Sequence, residues 1–309
     1  MTLARHKREL SVAATYAALL GVLAIATPRF FQQEFLDTWV SNAPMLIAAV
    51  GMTLVILAKH IDISIGSQFS ICAVIAAFCA KLGWPMPVAA GATLVAGCAM
   101  GAINGIFVAL IGLPSIVVTL ATMVMLQEAL RLVRQGAPIY DLPADFQWFG
   151  QSQLAGEITL LLMAALVFAV FAYAMKSLAA GRAVYAVGSD TEAARLAGVR
   201  PKRVVFGVFV LMGLLTGLAA LLQAVRFTQI TPYSGNGLEL AVIAAVVVGG
   251  TAISGGRGTI LGSLLGVALL GTITAALIFL GGEPYWEKAI QGAVILIAVA
   301  SDALRRRGT

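Results

Sequence analysis

The chain has 309 residues, of which 60% are hydrophobic and only 11% charged. A soluble domain carries about 25% charged residues, so a soluble core does not account for this composition. The net charge of +6 is spread over separate loops, which excludes the concentrated basic face of a nucleic-acid binder.

Ten apolar segments follow one another, at about 10–28, 41–58, 65–81, 85–110, 115–133, 157–176, 204–225, 238–254, 258–280 and 286–303. A helix needs about 20 apolar residues to cross a bilayer core. The pattern therefore predicts an all-α, polytopic membrane bundle of ten helices, forming a single transmembrane domain over residues 1–309. Arg5, His6, Lys7 and Arg8 precede the first segment, as in a secretory signal, but the apolar run is longer than a signal core and reads as a spanning helix. Between the second and third segments, and into the start of the third, Lys59-His60-Ile61-Asp62-Ile63-Ser64-Ile65-Gly66-Ser67-Gln68 interrupts the apolar pattern. Two readings stand: a broken helix bordering a translocation path, or a short turn in which Asp62 or Ser64 caps the next helix. Cys72, Cys79 and Cys98 lie in apolar runs with no CxxC pair or histidine cluster, and read as small buried hydrophobes.

Gly97, Gly101 and Gly105 are spaced at small-xxx-small steps, as are Gly213 and Gly217, and Gly262 and Gly266. Such steps let helix backbones approach closely, either within the chain or across a subunit interface. The loop before the sixth segment carries Tyr140, Phe146, Trp148 and Phe149, which suit bilayer anchoring or contact with a partner or sugar. The longest polar connection, 177–203, contains a short helix at 189–198. Ser189 and Glu192 have capping-box spacing, Gly198 suits a left-handed helix end and Pro201 stops continuation. This element reads equally as a docking helix and as a loop helix on the lipid headgroups. Five glycines in residues 248–258 lack the Walker A order and follow an apolar helix, so a tight turn or broken helix fits better than a phosphate loop. The segments 65–81 and 238–254 are short and lie beside polar or glycine breaks, the pattern that marks midplane sites in transporters.

Counting cations orients the bundle. With the N-terminus in the cytoplasm, only Arg29, Lys81, Arg131, Arg134, Arg226 and Lys288 fall outside, and both termini are cytoplasmic. No G-x-S-x-G, H-E-x-x-H or cofactor fingerprint is present. The sequence offers no catalytic, metal or cofactor site, and few intramembrane ionisable groups for an ion-coupled carrier.

These motifs converge on a family. The chain resembles the ribose-type permease subunits of bacterial ABC importers, in the branched-chain amino acid and sugar permease superfamily. The resemblance rests on Gly51-Met-Thr-Leu-Val-Ile-Leu57 followed by Ile61-Asp-Ile-Ser-Ile-Gly-Ser67, on Ile103-Asn-Gly105, Thr119-Leu-Ala-Thr-Met123 and Gly181-Arg182, on Glu192-Ala-Ala-Arg-Leu-Ala-Gly-Val199, and on Glu239 with Ala244–Thr251 and Gly255-Gly-Arg-Gly258. It implies a bacterial inner-membrane protein with a cytoplasmic ABC ATPase, a periplasmic sugar-binding protein and a second permease subunit as partners. It assigns ATPase coupling to Ser189, Asp190, Thr191, Glu192, Ala193, Ala194, Arg195, Leu196, Ala197 and Gly198. Asp62, Ser64 and Gly66 match the family's signature by type. Along the implied pore, Asp62, Ser64, Asn104, Thr119, Thr122, Gln127 and Asn236 are path candidates, chosen by polarity. Leu126-Gln127-Glu128 departs from the Phe-Arg-Gly-like step of many relatives. The loop 142–150 looks like the rhamnose and autoinducer-2 branch, which points to rhamnose as the sugar. The rival classes are an ion-coupled sugar carrier and autoinducer 2 as the substrate.

Overall fold

The structure is a computed structural model and describes residues 7–33, 35–281, 283, 286, 288–293 and 295–296. Among them it is all-helical apart from one isolated bridge, Ile139–Ile230. In chain order the helices are α1 (Lys7–Ala26), α2 (Pro28–Gln33), α3 (Phe35–Leu57), α4 (Ile65–Lys81), α5 (Met86–Gly105), α6 (Ser115–Arg134), α7 (Gln153–Ser177), α8 (Ala179–Ser189), α9 (Thr191–Leu196), α10 (Pro201–Ala224), α11 (Leu238–Val248) and α12 (Ile260–Phe279). A π-helical turn, Ile106–Ile111, extends α5 until Gly112 ends it with φ +90°. Of the described helices, seven are long and apolar enough to cross a membrane, and α4 and α11 are shorter apolar helices. Described positions in 288–293 are helical; residues 297–303 of the tenth apolar segment, the basic run 305–307, Arg5 and His6 lie outside the described residues.

Burial sorts the helices into centre and rim. In α3, 83% of the apolar span is buried, against 22% in α6, 17% in α7 and 6% in α1. Buried apolar side chains inside lipid gain little from the hydrophobic effect, so close backbone packing has to hold the centre. The glycines supply it. A Cβ on Gly213 would lie 2.1 Å from the Gly97 carbonyl oxygen, and one on Gly101 would lie 2.3 Å from that of Phe209. Gly266 meets Ala245, and Gly249 meets Gly262, in the same way. All three glycine steps seen in the sequence thus pack helices within the chain, α5 on α10 and α11 on α12.

The two ends of the bundle are distinct. At one end the α3–α4 turn, α8 and the 249–259 turn are fused: Gly256 N donates to Leu57 O at 2.9 Å, and Tyr185 Oη donates to Gly258 O at 2.8 Å. At the other end the 135–152 loop lies along residues 225–230, with Ile139 and Ile230 exchanging backbone bonds and Trp148 N donating to Val225 O at 2.7 Å. Phe146 is buried there and Trp148 packs over Gly156, so these two cover the bundle end, while Tyr140 is exposed.

Candidate functional site

The connection after α7 is more structured than its composition suggests. Gly181 and Gly188 have poor helix propensity, yet both lie in α8, where they permit contact with Met175 and with Leu57 O. The chain then turns at Asp190 into α9. Asp190, not Ser189, is the N-cap: its Oδ1 accepts from Glu192 N and Ala193 N, both at 3.0 Å, while Ser189 is the last residue of α8. Glu192 does not reach back as a capping box requires. It pairs with Arg195 at 2.5 Å on the exposed side. Those hydrogen bonds from Arg195 hold the Glu192 carboxyl below its ordinary range, against the opposing charge of Asp190. Gly198, with φ +85°, ends the helix, Val199 N bonds Ala194 O, and Pro201 opens α10. Ala194 is buried and anchors α9, whereas Leu196 is 77% exposed. The result is a short knuckle with an apolar tip, packed on α8 and α10, with α8 seated against the end of α3 through Gly188.

The interruption at 59–64 forms a closed polar cluster. Asp62 Oδ1 accepts from Ser64 N at 2.9 Å and from Ser64 Oγ at 2.5 Å. Ser64 Oγ accepts in turn from Gln68 Nε2 at 2.7 Å and Asn104 Nδ2 at 2.8 Å, and the same two amides stand 3.4 Å from Asp62 Oδ2. Asp62, Ser64 and Gln68 have no exposed surface and Asn104 has 1%. The cluster ties the turn to α4 and α5. Next to it, Ser115 Oγ accepts from Ile61 N, and Thr119 Oγ1 bonds Ile61 O at 3.4 Å and Ser115 O at 2.9 Å, which adds α6. Ser64 stands at the N-cap position of α4 without a side-chain cap bond; Asp62 makes the turn instead.

Of the polar path candidates, Asp62, Ser64 and Asn104 therefore meet, and Thr119 adjoins them. Thr122 bonds carbonyls of its own helix, Gln127 is half-buried further along α6, and exposed Asn236 lies elsewhere, on the loop before α11. Gln68, the last residue of the polar interruption, belongs to the cluster but was not among the path candidates. Asn236 adjoins a second convergence. The starts of α4 and α11 meet where Gly66 and Gly235 pack backbone to backbone, Gly235 N donates to Ser70 Oγ at 2.9 Å, and the Glu239 carboxylate lies against Gly66. Only a missing Cβ on both strands of the chain allows that approach. At the 135–152 end of the bundle, a cavity of about 460 Å³ is lined by Asp37, Ser41, Asn42, Thr274, Gln291 and neighbouring apolar residues. None of these was singled out by sequence, because single polar residues in apolar helices lack a spacing motif. Among the described residues no cluster of His, Cys, Asp or Glu could hold a metal ion.

Comparison with known proteins gives consistent matches. The family model described as branched-chain amino acid transport system / permease component matches residues 35–299. The ribose import permease protein RbsC of Escherichia coli (strain K12) is 34% identical over 92% of this chain and 90% of its own length. The autoinducer 2 import system permease protein LsrC of Escherichia coli (strain K12 / DH10B) is 34% identical over 94% of this chain and 86% of its own. Its namesake in Photorhabdus luminescens is 31% identical over 99% and 93%. No solved structure matches the chain.

Proposed function

The chain belongs to the branched-chain amino acid transport system / permease component family, and on that premise we propose that it is the membrane subunit of an ATP-driven importer of a sugar or a related small polar molecule. It has no nucleotide-binding motif of its own, so a cytoplasmic ATPase hydrolyses the ATP, a periplasmic binding protein delivers the substrate, and a second permease subunit completes the pore. The whole chain serves as one membrane domain of ten crossings, with both termini, the α3–α4 turn, α8, α9 and the 249–259 turn in the cytoplasm of a bacterial inner membrane.

The observation that carries this reading is the α8–α9 knuckle. An exposed apolar tip on a short helix is costly to leave in water and useless in the core; fused by glycine contacts to the end of α3, it suits transmission of force from a docked protein. The names of the relatives support ribose-like and autoinducer-2-like substrates. Rhamnose is a narrower choice for which only the loop 142–150 speaks, and competition of labelled ribose, rhamnose and autoinducer 2 for uptake separates the three.

The test is substrate-stimulated ATP hydrolysis in liposomes containing this chain, its ATPase and its binding protein. Glu192→Arg/Leu196→Asp should abolish the stimulation while the permease still inserts. Uptake that runs without the ATPase and follows an ion gradient would instead establish a secondary carrier.

A further inference from the structure

Beside α9 lies a pocket of about 270 Å³, enclosed by the turn after α3, the end of α8 and the 249–259 turn, and lined by Lys59, Gly188, Ser189, Ser254, Gly255 and Arg257. Its walls are fixed by backbone contact. A Cβ on Gly188 would lie 1.7 Å from Leu57 O, one on Gly255 2.8 Å from Lys59 Cβ, and one on Gly256 2.4 Å from Ser189 Oγ. Lys59 itself holds φ +70°, a left-handed conformation that a lysine keeps only where its surroundings impose it.

The lining is cationic and polar. Among the described residues neither Lys59 nor Arg257 has an acidic partner, and the Ser189 and Ser254 hydroxyls have no hydrogen bond. The adjacent carboxylate, Asp190, is occupied by the first amides of α9, and Glu9 bonds Thr259 Oγ1. Two cations with free hydroxyls and peptide groups suit a carboxylate. The pocket also opens at the end of α3, the most buried of the spanning helices, beside the exposed face of α9. A cytoplasmic protein seated on α9 is well placed to fill it.

We propose that this pocket receives an acidic side chain of the ATPase that docks on α9, giving the subunits a second, electrostatic contact beside the apolar one. The inference rests on the docking role assigned to α9 above. It is tested by ATPase binding to this chain in nanodiscs, at low and high salt, in zwitterionic and in anionic lipid. Lys59→Asn/Arg257→Gln, with asparagine chosen because it tolerates the left-handed backbone, should raise Kd about tenfold and flatten its salt dependence in both lipids. The charge-keeping pair Lys59→Arg/Arg257→Lys should bind like wild type, which separates lost charge from lost folding. Unchanged affinity and salt dependence in the neutral pair, alongside weak binding by Leu196→Asp, overturns the pocket and leaves the docking reading intact. Wild-type binding by Leu196→Asp as well removes the docking reading itself. A defect confined to anionic lipid assigns the pocket to a lipid phosphate and overturns the proposal.

Discussion

At the scale of single residues, Asp62 has the most demanding environment. A carboxylate with no exposed surface has to be held by donors, and here they are neutral: the Ser64 amide and hydroxyl, with the Gln68 and Asn104 amides behind them. Removing it would leave the Ser64 amide and hydroxyl buried and unmatched, at about 1–3 kcal/mol for each orphaned group, while the Gln68 and Asn104 amides keep Ser64 Oγ as acceptor. Asp62→Ala should therefore lower the melting temperature in detergent and loosen the α3–α4 turn, and Asp62→Asn, which keeps one acceptor oxygen, should fall between it and wild type. A melting temperature unchanged by Asp62→Ala would show that the cluster is not structural. The sequence supplied the members of this site, with Asp62, Ser64 and Asn104 among its path candidates and Gln68 closing the polar interruption, but not their meeting. A charge inside an apolar run identifies Asp62, and Ser64 follows by proximity. Gln68 and Asn104 join through helix phase and the crossing of α4 on α5, neither of which a single chain of letters displays.

At the scale of elements, backbone approach decides what can be changed. Gly213 and Gly207 lie on one helix, α10, two turns apart. A side chain on Gly213 would strike the Gly97 backbone, whereas nothing lies within 4 Å of the Cβ position at Gly207. Gly213→Val should remove folded protein from the membrane, and Gly207→Val should express and migrate as wild type on size exclusion; equal expression of the two would refute the close crossing. The spacing of these glycines was legible, and so was the stop at Gly198 and Pro201, because turn chemistry is local. The helix α8 was not legible. Gly181 and Gly188 argue against a helix on propensity alone, and only their contacts with Met175 and Leu57 offset that cost. The segment read as 238–254 likewise ends at Val248, since Gly250, with φ +94°, leaves the helix to make the turn against α12.

At the scale of the whole molecule, the fused loops fix which connections share a side. The α3–α4 turn, α8 and the 249–259 turn form one end; the 81–85 turn, the 135–152 loop and residues 225–230 form the other, where Lys81 Nζ donates to Tyr140 O at 3.3 Å. The proposed orientation, argued from cation counting, puts the first end in the cytoplasm. The arrangement can be read directly by labelling with a membrane-impermeant maleimide. Leu196 is 77% exposed on α9 and Tyr140 is 52% exposed at the opposite end, and the native Cys72 and Cys79 are buried, with Cys98 partly so, which keeps the background low. Leu196→Cys should label in inverted vesicles and Tyr140→Cys in right-side-out vesicles. Labelling of both from one side would break the alternation of crossings. Reversal of both would preserve the bundle but turn α9 away from any cytoplasmic ATPase, and the coupling role would fall with it.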